Sequence, residues 1–168
     1  MKKTVLFTII LFAAIFSFAQ HDSTAPILPP YQRFPDLPPF RLLKVDSVTY
    51  FGKADVPKNK PVLIILFDPN CDHCQHETED ITNNIDSFQN IQIVMVTNAD
   101  FKDTKKFYEN YGLAKFKNIT IGVETVYFLA TFFNIHNLPY LAMYDKKGKL
   151  ISTHEGTWKV EKILETFR

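Results

Sequence analysis

The chain is poor in cysteine, glycine and tryptophan, and it carries no excess of charge of either sign. Its 168 residues include two cysteines, five glycines and one tryptophan, with a formal net charge of +1. This balance gives no electrostatic basis for binding nucleic acid or an anionic membrane surface. Two cysteines cannot build a disulfide framework, so an ordinary apolar core must stabilise the domain. The composition can supply one, because 46% of the residues are hydrophobic and 16 are phenylalanine.

The N-terminal apolar run, from Val5 to Phe18, is shorter than the ~20 residues that a membrane-spanning helix usually needs. It follows Lys2 and Lys3, and small residues occupy the −3 and −1 positions of a cleavage site after Ala19. We predict a signal peptide over residues 1–19 and export of the protein. A retained anchor is the alternative, and only then would the protein associate with a membrane. Cleavage would leave a net charge of −1.

Prolines are concentrated just after the predicted signal peptide. Residues 20–39 hold six of the ten prolines in the chain. Proline fixes φ and removes a hydrogen-bond donor, so this segment is predicted to be an extended tether. Tyr31 and Phe34 are the side chains in it that could dock on the domain. The remaining residues, 40–168, suit a single domain.

The two cysteines, Cys71 and Cys74, have C-x-x-C spacing. They follow an entirely apolar run, Val62–Phe67, and precede a segment with helical periodicity, so they lie where a buried strand gives way to a helix. The N–H groups and dipole of a helix N-terminus favour a thiolate, and the spacing lets the second sulfur reach the first. The pattern therefore indicates a reactive dithiol. Metal binding is not predicted, because the sequence lacks the second ligand pair that structural zinc sites usually have.

Apolar periodicity predicts a strand–helix–strand unit around the cysteines. The run Val62–Phe67 suits a central strand covered on both faces. After it, apolar or small residues recur at steps of four and three, which is one helix stripe, at Cys74, Thr78, Ile81, Ile85 and Phe88. Residues Ile91–Val96 form the next buried strand. A right-handed crossover makes the two strands parallel.

The flanking segments are predicted from their turn and capping residues. Before the C-x-x-C motif, a strand pair or broken strand is predicted over Phe40–Phe51, with a turn at Asp46–Ser47. After it come a helix from Asp100 to Gly112, a short strand or loop over Asn118–Val123 and an apolar helix over Glu124–Phe133. The chain then forms a hairpin of Tyr140–Tyr144 and Lys149–His154, joined by Asp145–Gly148, and ends in a helix capped by Thr157.

The C-x-x-C motif, together with Leu138-Pro139 before a strand and the hairpin turn Asp145–Gly148, resembles the thioredoxin fold. Within that fold, the chain resembles the exported TlpA/ResA-like thiol–disulfide oxidoreductases, over about residues 40–168. Together with the predicted signal peptide, this resemblance implies the periplasm of a bacterial cell envelope. The resemblance implies an α/β protein, a three-layer sandwich whose central mixed β-sheet is flanked by helices.

The resemblance also implies roles for particular residues. Cys71 would attack the partner and Cys74 would resolve the mixed disulfide, so the pair would form a redox-active disulfide. Pro139 would be cis and would turn the Leu138 backbone toward an extended substrate strand. Glu77 matches an acid found near the site in the ResA-like branch, where it would transfer protons or tune Cys74.

Three positions depart from the pattern of the family. Asn70 replaces the usual tryptophan before the first cysteine, which removes an apolar platform for substrate. Ile65 replaces the buried aspartate of thioredoxin itself. His73 replaces the common proline before the second cysteine and resembles the DsbA-type oxidants, in which an imidazole stabilises the thiolate. Asp72 opposes that effect by charge repulsion, so the direction of electron flow stays open.

These features predict dithiol–disulfide exchange with protein substrates, followed by recycling through another thiol–disulfide protein. The reducing direction is the first hypothesis. No cofactor is required, because Cys71 and Cys74 carry the electrons. One alternative is a periplasmic disulfide oxidant or isomerase tuned by His73. The other is a thioredoxin-like binding module whose cysteines are incidental.

Overall fold

The computed structural model describes residues 28–168, which contain five α-helices and seven β-strands. In chain order these are α1 Pro30–Arg33, β1 Arg41–Lys44, β2 Tyr50–Gly52, β3 Val62–Leu66, α2 Asp72–Asn83, β4 Gln92–Thr97, α3 Phe101–Asn110, β5 Ile119–Val123, α4 Phe128–Phe133, β6 Tyr140–Tyr144, β7 Leu150–Glu155 and α5 Val160–Thr166. Short 3₁₀ helices span Lys53–Asp55, Ile85–Phe88 and Leu113–Lys115. Within residues 28–168, no helix is long and apolar enough to cross a membrane.

The strands form one mixed sheet in the order β2-β1-β5-β4-β3-β6-β7. Strand β3 pairs in parallel with β4 on one side and antiparallel with β6 on the other. The parallel pairing of β3 with β4 confirms the predicted crossover unit. The hairpin of β6 and β7 is also confirmed, as is the antiparallel pair β1 and β2. The predicted fold class, a central mixed sheet flanked by helices, is therefore correct.

The core lies on both faces of the sheet, which explains why every residue of β3 is apolar and buried. Leu63 and Ile65 belong to one cluster with residues of α2, α3 and α5. Ile64 and Leu66 belong to a second cluster, with residues of α4. Successive side chains of a strand point to opposite faces, so a strand covered on both sides has no polar position.

Two predicted helix starts differ from the structure, and a third agrees in position without the expected capping bond. The apolar segment Glu124–Phe133 is helical only over Phe128–Phe133, because Glu124 is buried outside the helix and its carboxylate accepts a bond from the Leu129 N–H. The last helix is not capped by Thr157, because its N-cap residue is Lys159. Asp100 is the N-cap of α3, but its side chain makes no capping hydrogen bond.

The described part of the proline-rich segment packs on the domain and is not a free tether. Leu37 is 6% exposed, and its N–H donates to the Gly148 carbonyl at 2.7 Å. The Pro35 carbonyl accepts from the Leu150 N–H, also at 2.7 Å. Tyr31 contacts Phe133 with ring centroids 6.0 Å apart, whereas Phe34 stays exposed. The predicted signal peptide, residues 1–19, lies outside the described residues.

Candidate active site

Cys71 is the N-cap residue of α2. Its Sγ accepts a hydrogen bond from the Cys74 N–H at 3.4 Å, so the sulfur occupies the position of a capping oxygen. The preceding turn is shaped by Asp68, whose carbonyl accepts from the Cys71 N–H at 3.1 Å. The Asp68 carboxylate accepts from the Asn70 N–H at 2.7 Å. The strand end, the turn and the helix start therefore hold Cys71 where the free N–H groups of the first turn favour negative charge.

The two thiols differ in accessibility. Cys71 is partly exposed and Cys74 is 1% exposed, and neither forms a disulfide. Burial raises the pKa of Cys74, and its hydrogen bond with Cys71 raises this pKa further. Cys71 can therefore meet a partner directly, whereas Cys74 needs a group that accepts its proton.

Glu77 lies one helical turn after Cys74 and is 2% exposed. Residues three apart on a helix share a face, with Cβ atoms about 5–6 Å apart. Oε2 of Glu77 accepts a hydrogen bond from the Trp158 N–H at 2.8 Å, and the buried Oε1 has no partner among residues 28–168. Burial raises the pKa of Glu77 to about 7, Asp80 contributes in the same direction, and the Trp158 N–H opposes it. A carboxyl with this pKa can accept and release a proton near neutral pH.

His73 lies in the first turn of α2, between the cysteines, with its side chain exposed. His76 is also exposed, and its Nδ1 lies 3.7 Å from Oε2 of Glu79. Within residues 28–168, no group of three or more His, Cys, Asp or Glu side chains is placed to hold a metal ion.

The Leu138–Pro139 peptide bond is cis, as the resemblance predicts. The Pro139 carbonyl accepts a hydrogen bond from the Gly156 N–H at 2.8 Å. Leu138 is partly buried and packs against both core clusters, one of which also contacts Cys71. Beside it lies an open groove of about 410 Å³, whose lining includes Phe67, Asp68, Ala99, Tyr127, Ile135 and Leu138.

Sequence reasoning misses two residues. One is Trp158, whose N–H donates to Glu77, and the sequence gives no sign of this contact because the two residues are 81 positions apart. Glu124 is 1% exposed at the end of β5, and burial raises its pKa. Its Oε2 accepts from the Leu129 N–H at 3.0 Å and so anchors α4, which forms part of the groove wall. The signal available in the sequence was an acidic residue, Glu124, shortly before the aromatic-rich residues 127–133.

A mixed sheet that presents C-x-x-C at a helix N-terminus, beside a cis-proline, defines a thioredoxin-like protein. Solved structures agree with this class. The chain is similar to the exposed lipoprotein thioredoxin of Streptococcus pneumoniae, with TM-score 0.62 and 24% identity, covering 77% of this chain and 97% of that one. A secreted Mycobacterium tuberculosis disulfide oxidoreductase, homologous to DsbE of Escherichia coli, matches with TM-score 0.63 and 16% identity over 76% and 92% of the two chains. StoA of Bacillus subtilis matches with TM-score 0.57 and 15% identity over 79% and 98%.

The family model of the thioredoxin-like domain matches residues 54–168. The chain therefore belongs to the thioredoxin-like domain family. Its solved neighbours are of the kind that the TlpA/ResA-like resemblance predicts. No curated protein sequence matches the chain.

Proposed function

We propose that the protein is an exported thiol–disulfide oxidoreductase that reduces disulfides of protein substrates. One observation carries the proposal. An accessible cysteine at a helix N-cap is followed by a buried cysteine, and a buried carboxyl lies one turn further along the same helix. These are the nucleophile, the resolving thiol and the proton acceptor that dithiol–disulfide exchange needs.

In the first step, the Cys71 thiolate attacks one sulfur of the substrate disulfide. A bond forms between Cys71 Sγ and that sulfur, the substrate S–S bond breaks, and the other substrate sulfur leaves as a thiolate. The partial exposure of Cys71 supports this role, because the attacking sulfur must reach a sulfur on another protein.

In the second step, Cys74 resolves the mixed disulfide. The Cys74 thiol transfers its proton to the Glu77 carboxylate, and the resulting thiolate attacks Cys71 Sγ. A Cys71–Cys74 bond forms, the bond to the substrate breaks, and the second substrate sulfur leaves and is protonated. The burial that raises the Cys74 pKa supports the need for a base at this step. Glu77 is the buried carboxyl on the same helix face.

The cycle closes when a second thiol protein reduces the Cys71–Cys74 disulfide and supplies two electrons. The two cysteines carry these electrons, so no cofactor is part of the proposal. Leu138 and the backbone beside Pro139 are proposed to pair with an extended substrate segment near the groove. Export rests on the signal-peptide pattern of residues 1–19, and the similarity to a secreted Mycobacterium tuberculosis protein supports it.

His73 favours a second candidate function. A histidine before the second cysteine can stabilise the thiolate and so make the couple a stronger oxidant. The same residues would then run the exchange in reverse as a disulfide oxidant, or would rearrange substrate disulfides as an isomerase without net transfer of electrons. A binding module with idle cysteines is the alternative from another class of protein.

Cysteine variants test the proposal. We expect Cys71→Ser to lose all reduction of a protein disulfide, because the attacking sulfur is gone. Cys74→Ser should still attack but should accumulate a mixed disulfide with the substrate, seen as a covalent adduct that a reducing agent releases. Both variants change one buried or half-buried sulfur to oxygen, so each serves as the other's control for folding. Full activity in Cys71→Ser would rule out Cys71 as the attacking sulfur, and no reduction by the parent itself would leave the binding-module interpretation.

The reduction potential of Cys71–Cys74, measured by equilibration with defined thiol buffers, decides the direction. A value near that of thioredoxin, about −270 mV, supports a reductase. A value near that of DsbA, about −120 mV, makes the protein an oxidant.

A further inference from the structure

Glu77 is held by a residue that lies far from it in the sequence. Within residues 28–168, the one hydrogen bond of its carboxylate comes from the Trp158 N–H, at 2.8 Å and 81 positions away. Trp158 belongs to neither β7 nor α5 but to the short turn between them. The position of the Glu77 carboxylate therefore depends on the conformation of that turn.

The turn is attached to the sheet by its aromatic side chain. The Trp158 ring stacks on the ring of His154 with centroids 4.4 Å apart and planes inclined by 13°. Nε2 of His154 lies 3.3 Å from the Thr157 carbonyl, so the same side chain contacts both the ring and the backbone of the turn. His154 is in β7 and pairs with Leu141 of β6, next to the strand that leads to Cys71.

The turn also reaches the Pro139 segment. Gly156, at its start, donates its N–H to the Pro139 carbonyl at 2.8 Å. Its φ of 84° lies in the left-handed region, which glycine adopts without a steric penalty. Three consecutive residues thus contact the proposed substrate-pairing segment at one end and the proposed proton acceptor at the other.

We propose that the turn Gly156–Trp158, held by the stacking of Trp158 on His154, is the positioning element for the Glu77 carboxylate. The proposal rests on the proposed function, because it gives Glu77 the task of accepting the Cys74 proton. With Oε2 bound to the Trp158 N–H, Oε1 is the oxygen left to take that proton. Trp158 and His154 are positioning residues, since neither exchanges a proton or electron with the substrate.

The charged and titratable groups around Glu77 come from two elements. On α2 they are Asp80, which disfavours the carboxylate, and the Cys74 thiol. On the β7 side, His154 is linked to Glu77 through Trp158, on whose ring it stacks. A test must therefore separate the hydrogen bond from any charge on His154.

The first variant pair isolates the hydrogen bond. Trp158→Pro deletes the N–H, whereas Trp158→Ala keeps the N–H and removes only the ring. Because the lost hydrogen bond stabilises the charged carboxylate, its removal should raise the pH midpoint of Glu77 ionisation by about 1–2 units. We expect that rise in Trp158→Pro and a smaller one in Trp158→Ala. The readout is the pH titration of the Glu77 side-chain carboxyl carbon by NMR in the reduced protein, assigned with Glu77→Gln.

The second pair isolates the stacking. His154→Ala removes the ring, whereas His154→Phe keeps an aromatic plane and removes the titratable nitrogens. We expect His154→Ala to raise the Glu77 midpoint and His154→Phe to restore it to the value of the parent. Equal shifts in the two variants would mean that His154 acts by charge, and this result would overturn the stacking argument.

Trp158 is the one tryptophan in the chain, so its fluorescence reports on the turn directly. We expect the emission of the parent to change across the ionisation of Glu77, and this component to be absent from Glu77→Gln. A Glu77 midpoint in Trp158→Pro equal to that of the parent overturns the proposal. If Trp158→Pro is too unstable to measure, an unchanged midpoint in His154→Ala overturns it. None of these titrations uses a substrate, so this failure is separate from a failure of the proposed function, which the Cys71→Ser assay detects.

Discussion

Glu77 is the residue whose surroundings most change what its side chain can do. An exposed glutamate ionises near pH 4 and is a poor proton acceptor at neutral pH. Burial against the core raises the pKa of Glu77 to about 7, which matches the carboxyl to proton transfer at the pH of the reaction. Glu79, two residues later, is exposed, and its Oε2 lies 3.7 Å from Nδ1 of His76. The two glutamates differ because Glu77 lies on the buried face of the helix and Glu79 on the exposed face.

Replacing Glu77 by glutamine should slow the resolving step and leave the first attack unchanged. The reason is that glutamine fills the site but cannot accept the Cys74 proton, and loss of such a group typically costs 10²–10⁴-fold in rate. Mixing reduced protein with an aromatic disulfide that releases a coloured thiolate gives two bursts, one for each step. We expect the second burst of Glu77→Gln to be slower by roughly a hundredfold.

Glu79→Gln is the control, because it makes the same chemical change on an exposed position of the same helix. In the parent, the rate of the second burst should show an inflection near pH 7, rising with pH as Glu77 loses its proton. The inflection should be absent from Glu77→Gln. Identical second bursts in parent and Glu77→Gln would reduce Glu77 to a structural residue.

At the scale of elements, the parallel unit β3–α2–β4 and the edge pair β1–β2 are attached by different means. The first is a crossover within one short stretch of chain. The second joins the sheet through β1 and β5, whose residues are about eighty positions apart. There, Gly122 lets the strands approach closely: a Cβ at this position would lie 2.8 Å from the Leu42 Cβ and 2.8 Å from the Leu43 carbonyl oxygen.

Gly122→Ala should therefore weaken the attachment of β1 to β5. The added methyl group meets backbone and a buried side chain that cannot move freely, and such overpacking typically costs about 1–3 kcal/mol of the free energy of unfolding. Chemical denaturation followed by circular dichroism measures this loss. Ser152→Ala, on the edge strand β7, is the control and should stay within about 0.5 kcal/mol of the parent. An unfolding midpoint of Gly122→Ala equal to that of the parent would show that the strands can separate without cost.

At the scale of the whole molecule, the protonation of Glu77 is linked to folding. Its pKa is raised in the folded state, so between about pH 4.5 and pH 7 the folded chain holds a proton that the unfolded chain has released. Stability then falls as pH rises through this window. The stabilising contribution is fully present below the unfolded pKa and is lost above the folded one.

Glu77→Gln should remove this dependence, because glutamine is neutral at every pH. The shift from 4.5 to about 7 corresponds to roughly 3 kcal/mol, so the variant should be more stable than the parent by up to that amount at pH 8 and equal to it at pH 4. Urea denaturation at a series of pH values measures the difference. Glu79→Gln should keep the pH dependence of the parent, and parallel curves for the parent and Glu77→Gln would contradict the linkage.

Much of this molecule follows from local patterns in the chain. The all-apolar run of β3 and the four-and-three spacing after Cys71 require a buried strand followed by a helix, because the side-chain periods of strand and helix differ. That order of elements is sufficient to place Cys71 at the helix start. The cis bond before Pro139 and the role of Glu77 came from the resemblance to a family, since neither has a local signature.

The amino-acid sequence by itself determined the strand–helix–strand unit, the hairpin of β6 and β7, and the dithiol at a helix N-terminus, because these depend on neighbours a few residues apart. Tertiary structure alone decided that Glu77 is buried against Trp158, that Glu124 anchors a shortened α4, and that residues 35–37 pack along the hairpin. The first and the third are contacts between residues far apart in the chain, and the second, although Leu129 is only five positions from Glu124, depends on what buries Glu124. Burial and its effect on a pKa depend on what covers a side chain in space, which spacing along the chain does not encode.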